Sequence, residues 1–173
     1  QVQGLTPYLP AELVERVIAH AQQRQVKSEF RPTTVIFVNF TGAEGLFEQW
    51  GAEGASRLTS ILSAYFNAMQ AVIARYGGIV SRIDPYSTGS KMLVLFGAPV
   101  SHEDDTRRAV SAALAMNMEL EAVNDRLRQK YTRYLPANLA GPLLQHRMGI
   151  TCGTTFAGQV GAGPVVVLAA DGA

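Results

Sequence analysis

The stretch TTVIFVNF, residues 33 to 40, constrains this chain more than any other feature. It is built from β-branched and aromatic residues and shows no polar alternation before Asn39, the pattern of a strand covered on both faces. A short loop follows, Thr41-Gly42-Ala43-Glu44-Gly45. Leu58, Leu62, Tyr65, Met69, Ile73 and Tyr76 then recur at spacings of three and four. That is the apolar stripe of a long helix, stopped by Gly77-Gly78. Ile79 to Ile83 and Lys91 to Phe96 read as two short strands, joined as a hairpin through the turn-rich Asp84-Pro85-Tyr86-Ser87-Thr88-Gly89-Ser90. Ser101-His102-Glu103-Asp104 matches a capping box ahead of a second long helix. Ala109, Ala113, Met116, Leu120, Val123 and Leu127 form its stripe. Leu135 to Pro142 is a loop, Arg147 to Cys152 a strand, and a Gly-rich turn leads to another apolar stretch. The expected fold is α+β: a ferredoxin-like βαββαβ core, its antiparallel sheet carrying helices on one face.

Residues 1–30 read as an N-terminal helical linker, and residues 31–173 as the domain proper. Pro10 suits a helix start, and Leu13, Val14, Val17, Ile18 and Ala21 share a face. Of 173 residues, 47% are hydrophobic and 17% charged, enough for one substantial core. A net charge of +1 gives no basic excess for nucleic acid. One cysteine excludes an internal disulfide framework and a zinc site built on cysteine pairs. No apolar run approaches the ~20 residues a membrane helix needs, so a soluble, cytoplasmic segment is expected.

Several tempting motifs have simpler readings. His102-Glu103-Asp104-Asp105 resembles a metal cluster, but acidic groups in a first turn serve the helix dipole and its free amides. Gly153-Thr154-Thr155-Phe156-Ala157-Gly158 has the glycine spacing of a phosphate loop. It lacks the Lys-Ser/Thr pair, so a tight turn is expected. Ser87, Ser90 and Ser101 have no histidine nearby to activate them. Cys152 is expected to be a small buried residue within its strand.

Four segments taken together, VIFVNFTG, ARYGGIVSRID, GSKMLVLFGAPVSHEDDTRRAVSAALAM and RMGITCGTTFAGQVG, resemble the class III nucleotidyl cyclase catalytic domain. The resemblance runs in order from about Arg31 to Gly161. It implies conversion of ATP or GTP to the cyclic nucleotide with loss of pyrophosphate, Mg²⁺ or Mn²⁺ as cofactor, and a homodimer or heterodimer with another cyclase domain. It places nucleotide contacts at Phe40, Thr41, Gly42, Tyr86 and Gly89.

The residues that carry the family's chemistry are substituted here. The two metal-binding aspartates fall on Asn39 and Ser90, and the base-reading lysine falls on Tyr86. The catalytic Asn and Arg of a later helix fall on Val167 and Asp171. Neither an amide oxygen nor a hydroxyl brings the negative charge that holds Mg²⁺ beside a polyphosphate. The expectation is a degenerate cyclase-homology half that pairs with another cyclase domain. Two alternatives stay open: an active cyclase with unconventional ligands, and a nucleotide sensor without turnover.

Overall fold

The computed structural model describes residues 29–51, 54–86, 89–98, 100–135 and 141–157. The linker helix expected before residue 29, and the apolar stretch carrying Val167 and Asp171, lie outside these residues. Strand β1 (Glu29–Thr41) leads to helices α1 (Ala43–Trp50) and α2 (Ala55–Arg75). The hairpin β2 (Ile79–Tyr86) and β3 (Gly89–Phe96) follows, then helix α3 (Asp105–Tyr131), a 3₁₀ turn (Thr132–Tyr134) and β4 (Gln145–Ala157). The sheet order is β2-β3-β1-β4, with every neighbouring pair antiparallel. This is the βαββαβ arrangement with one short helix added. No helix among the described residues is long and apolar enough to cross a membrane.

Alternation along β1 sorts its residues onto two faces. Ile36, Val38 and Phe40 face the helices, each no more than 2% exposed. They pack on Ile61, Tyr65, Met69 and Ile73 of α2, and on Ala109, Ala113, Met116, Leu120 and Val123 of α3. On the opposite face Val35 is buried, but Phe37 is 54% exposed. Among the described residues, the strand expected to be covered on both faces is therefore covered by helices on one only. Its apolar run reflects a central strand flanked by β3 and β4, not a layer on each side.

Other expectations need correction. The loop placed at residues 41–45 is short, because α1 already begins at Ala43. Along α2 it is Ile61 that is fully buried, whereas Leu62 and Leu58 pack at the border. The long hairpin connection shrinks, since β2 runs to Tyr86 and β3 resumes at Gly89.

The last strand differs most. Residues 153–157, expected to turn, continue β4 and pair with β1 back to Glu29. The glycines fit an edge strand, where few side chains need packing. Cys152 is exposed there, not buried. At the start of α3 the side chains work in the reverse sense of the expected capping box. Ser101 does not cap, and the buried Asp105 carboxylate instead accepts from the His102 amide at 2.8 Å.

Candidate functional site

The positions marked out by the resemblance converge on one end of the sheet. β1 ends in Asn39, Phe40 and Thr41, and Gly42 turns the chain towards α1 with φ +112°. A Cβ at Gly42 would run into the Leu143 carbonyl oxygen, so this turn takes only glycine. Gly89 opens β3 with φ +139°, and a Cβ there would sit 2.5 Å from the Phe40 carbonyl oxygen. Gly89 lets the start of β3 lie directly against residues 40–41, and Gly42 lets the turn after β1 lie against Leu143. Tyr86 closes the hairpin by pairing with Gly89. Val167 and Asp171 lie outside the described residues.

Asn39 and Ser90 adjoin across the β1–β3 ladder, as the fold reading requires. The register pairs Phe40 with Ser90 and Asn39 with Lys91. Because side chains alternate along a strand, Asn39 belongs to the open face, and Ser90 shares the helix-covered face with Phe40. The two positions are neighbours in backbone but do not present side chains to one point.

On the open face a row crosses all four strands: Asp84, Lys91, Asn39 and Arg147, each opposite the next. Directly paired residues on one face have Cβ atoms roughly 5 Å apart, so Asn39 sits between two cations. The next row holds Arg82, Leu93, Phe37 and Gly149. Phe37, Asn39, Arg82, Lys91, Arg147 and Gly149 line an open depression of about 590 Å³. Asp84, the carboxylate of the row, pairs with Arg82 at 2.7 Å.

These residues do not fit a pair of divalent ions. Hard cations are held by anionic oxygens, and here one amide oxygen stands between an ammonium and a guanidinium. Among the described residues no group of three His, Cys, Asp or Glu side chains is arranged to hold a metal.

Beneath the row, Phe40 is fixed by aromatic packing. It stacks on Tyr65 with centroids 4.6 Å apart and meets Phe66 edge-on at 5.6 Å. Tyr65 is fully buried, and that burial pushes its hydroxyl pKa up, so the hydroxyl stays protonated. It hydrogen-bonds His146 Nδ1 at 3.2 Å, while His146 Nε2–H donates to Asn117 Oδ1 at 2.8 Å. Burial holds the His146 pKa below its ordinary value and so favours the neutral imidazole. His146 is itself the β4 partner of Phe40, so the chain ties α2, α3 and β4 to the end of β1.

Sequence reading missed Lys91, Arg147 and Arg82. Their only signal is register: Lys91 faces Asn39 only once Phe40 is paired with Ser90, and no local pattern specifies that pairing.

Residues 25–164 match the family described as the adenylate and guanylate cyclase catalytic domain. Adenylate cyclase 1 of Rhizobium meliloti (strain 1021) is 26% identical over 155 residues, 90% of this chain. The chain spans only 21% of that relative's length. The guanylyl cyclase Cya2 superposes with a TM-score of 0.60 at 28% identity, over 86% of this chain and 67% of that one. A dimeric guanylyl cyclase domain of the RhoGC fusion protein from Blastocladiella emersonii gives a TM-score of 0.56 at 18% identity. That match covers 84% of this chain and 71% of the other, and it is a likeness of fold.

Proposed function

Since this chain belongs to the adenylate and guanylate cyclase catalytic-domain family, we propose that it is a cyclase-homology half retained for pairing, not for turnover. It pairs with itself or with a metal-bearing cyclase domain, whose composite site it completes or regulates. The family reaction joins the 3′ oxygen of ATP or GTP to the α-phosphorus and expels pyrophosphate. That chemistry needs charge neutralised at the polyphosphate, which two divalent ions on carboxylates normally supply.

One observation carries the reading: Asn39, which the family resemblance sets at the first metal-binding carboxylate, pairs across the sheet with Lys91 and Arg147. One lost carboxylate can be replaced by water or a partner's group. With both carboxylates lost and two cations beside Asn39, the environment repels Mg²⁺ and Mn²⁺. The close backbone approach of Gly89 to Phe40 and Thr41 supports a domain that still meets nucleotide at a shared interface.

The test is cyclic nucleotide formation by the purified chain with ATP or GTP and Mg²⁺ or Mn²⁺. No more than background turnover is expected, and added chain should change the activity of a carboxylate-bearing cyclase domain. Robust turnover by the chain alone, abolished by Asn39→Ala, would overturn the proposal in favour of unconventional ligation.

A further inference from the structure

We propose that Arg57, clamped between two aromatic rings where α1, α2 and the end of α3 meet, docks a carboxylate side chain of a partner protein, with Arg133 and Tyr134 completing the contact. This surface is separate from the open face of the sheet, and its role does not depend on whether the chain turns over nucleotide.

Arg57 stands in the first turn of α2, where Gly54 caps the helix without a side chain and no acidic residue is present. A cation there opposes the helix dipole, so the helix itself does not account for it. Its guanidinium lies 4.3 Å from the Tyr134 ring centroid and 5.5 Å from that of Trp50. Trp50 Nε1–H donates to the Tyr134 carbonyl at 2.8 Å, and the Trp50 and Tyr131 rings are 6.2 Å apart. The clamp is thus held together by α1 and the end of α3. Inside it Arg57 Nε is enclosed without a hydrogen-bond partner, and among the described residues no carboxylate pairs with this side chain. Any long side chain would serve for stacking alone, whereas an enclosed N–H without an acceptor costs stability. With Nε turned inward, the two Nη groups form the outer edge. That edge is a planar fork matching the two oxygens of one carboxylate.

The surroundings carry the same sign. From Arg126 to Tyr134 there are four basic residues and no acidic one. Arg126 is answered by Glu119, but Lys130 and Arg133 are exposed and enter no ion pair among the described residues. Tyr134 is 51% exposed beside them. Arg, Tyr and Trp are the residue types on which protein partners most often anchor. An anionic membrane is the poorer match, because it is held by a broad basic cluster, and here the central cation is fixed in a two-ring clamp.

Trp50 is the only tryptophan of the chain, so its emission reports on this surface. The experiment titrates the whole chain with a hexaglutamate peptide and follows Trp50 fluorescence, with hexaglutamine as the uncharged control. Hexaglutamate should change the emission and hexaglutamine should not, and the response should weaken as salt rises. Arg57→Lys keeps the charge but loses the fork, and should lower affinity on the order of tenfold. Arg133→Gln should lower it by about threefold. Arg147→Gln, on the open face, should leave it unchanged. Thermal melts of each variant establish folding, and the exposed Arg133 supplies a variant that reads the surface should Arg57→Lys fail to fold. Equal affinity in the parent and Arg57→Lys would overturn the proposal, as would a response lost in Arg147→Gln. A response to vesicles of phosphatidylserine and phosphatidylcholine, with none to hexaglutamate, would overturn it in favour of a membrane surface.

Discussion

His146 joins three elements through hydrogen bonds to Tyr65 and Asn117. Its ordinary pKa of 6.5 is lowered in the fold by burial. The unfolded chain therefore takes up a proton here at a pH where the folded chain does not. Linkage then makes stability fall as pH drops below about 6.5, and go on falling until the folded pKa is reached. Above the unfolded pKa the contribution is complete. Thermal unfolding from pH 8 to pH 5 should show this acid loss, and His146→Gln should flatten it. An equal slope in both proteins would remove His146 from the account. Asn124 makes a different bet. Its side chain is buried, donating to the Leu144 carbonyl and accepting from the Leu144 amide, both at 2.9 Å. Asn124→Ala leaves both backbone groups without partners and should cost about 2–5 kcal/mol in denaturant melts. Asn39 and Ser90 are legible from sequence as substituted positions. His146 and Asn124 are not, because their partners lie 81 and 20 residues away.

At the scale of elements, helices were easier to read than strands. The stripe from Ala109 to Leu127 is buried as its spacing predicts, since a 27-residue helix repeats its signal through many turns. Two-turn α1 repeats it too few times, and only Ala43 and Leu46 are firmly buried among its described side chains. The end of β4 gives no apolar pattern, because a solvent-facing edge strand needs none. The sheet is the element that governs the site, and its row of Asp84, Lys91, Asn39 and Arg147 sets what repair requires. In Asn39→Asp the new carboxylate falls between Lys91 and Arg147 and should stabilise the sheet by roughly 0.2–1 kcal/mol through cross-strand pairing. Those same cations then occupy it, and Ser90→Asp adds a carboxylate on the other face of the pleat. The double variant should show no rise in melting temperature with Mn²⁺. Adding Lys91→Ser to Asn39→Asp frees one carboxylate side and should allow a metal-dependent rise. A Mn²⁺ response already present in the parent would mean that these cations do not control the site.

The described residues form a sheet with helices on one side and, among those residues, an open face that gathers both the cationic row and Phe37. The class III resemblance implies that two such domains pair. If the open face takes part, self-pairing brings two copies of Arg82, Lys91 and Arg147 towards one another, and their repulsion opposes association. Screening acts over about 10 Å at 0.1 M salt, comparable to the width of the row. Self-association of this chain should therefore strengthen as ionic strength rises from about 0.02 M to about 0.3 M, opposite to an interface held by ion pairs. Tripolyphosphate in EDTA should strengthen it at low salt, because a bound anion cancels the charge that keeps the copies apart. Phe37→Glu tests whether that face is buried on pairing. It removes an exposed ring and adds a carboxylate, so it should shift the population towards monomer at high salt, where charge matters least and apolar contact most. Sedimentation velocity over a concentration series reads all three effects. Association that weakens with salt and ignores Phe37→Glu would place the pairing surface elsewhere on the domain.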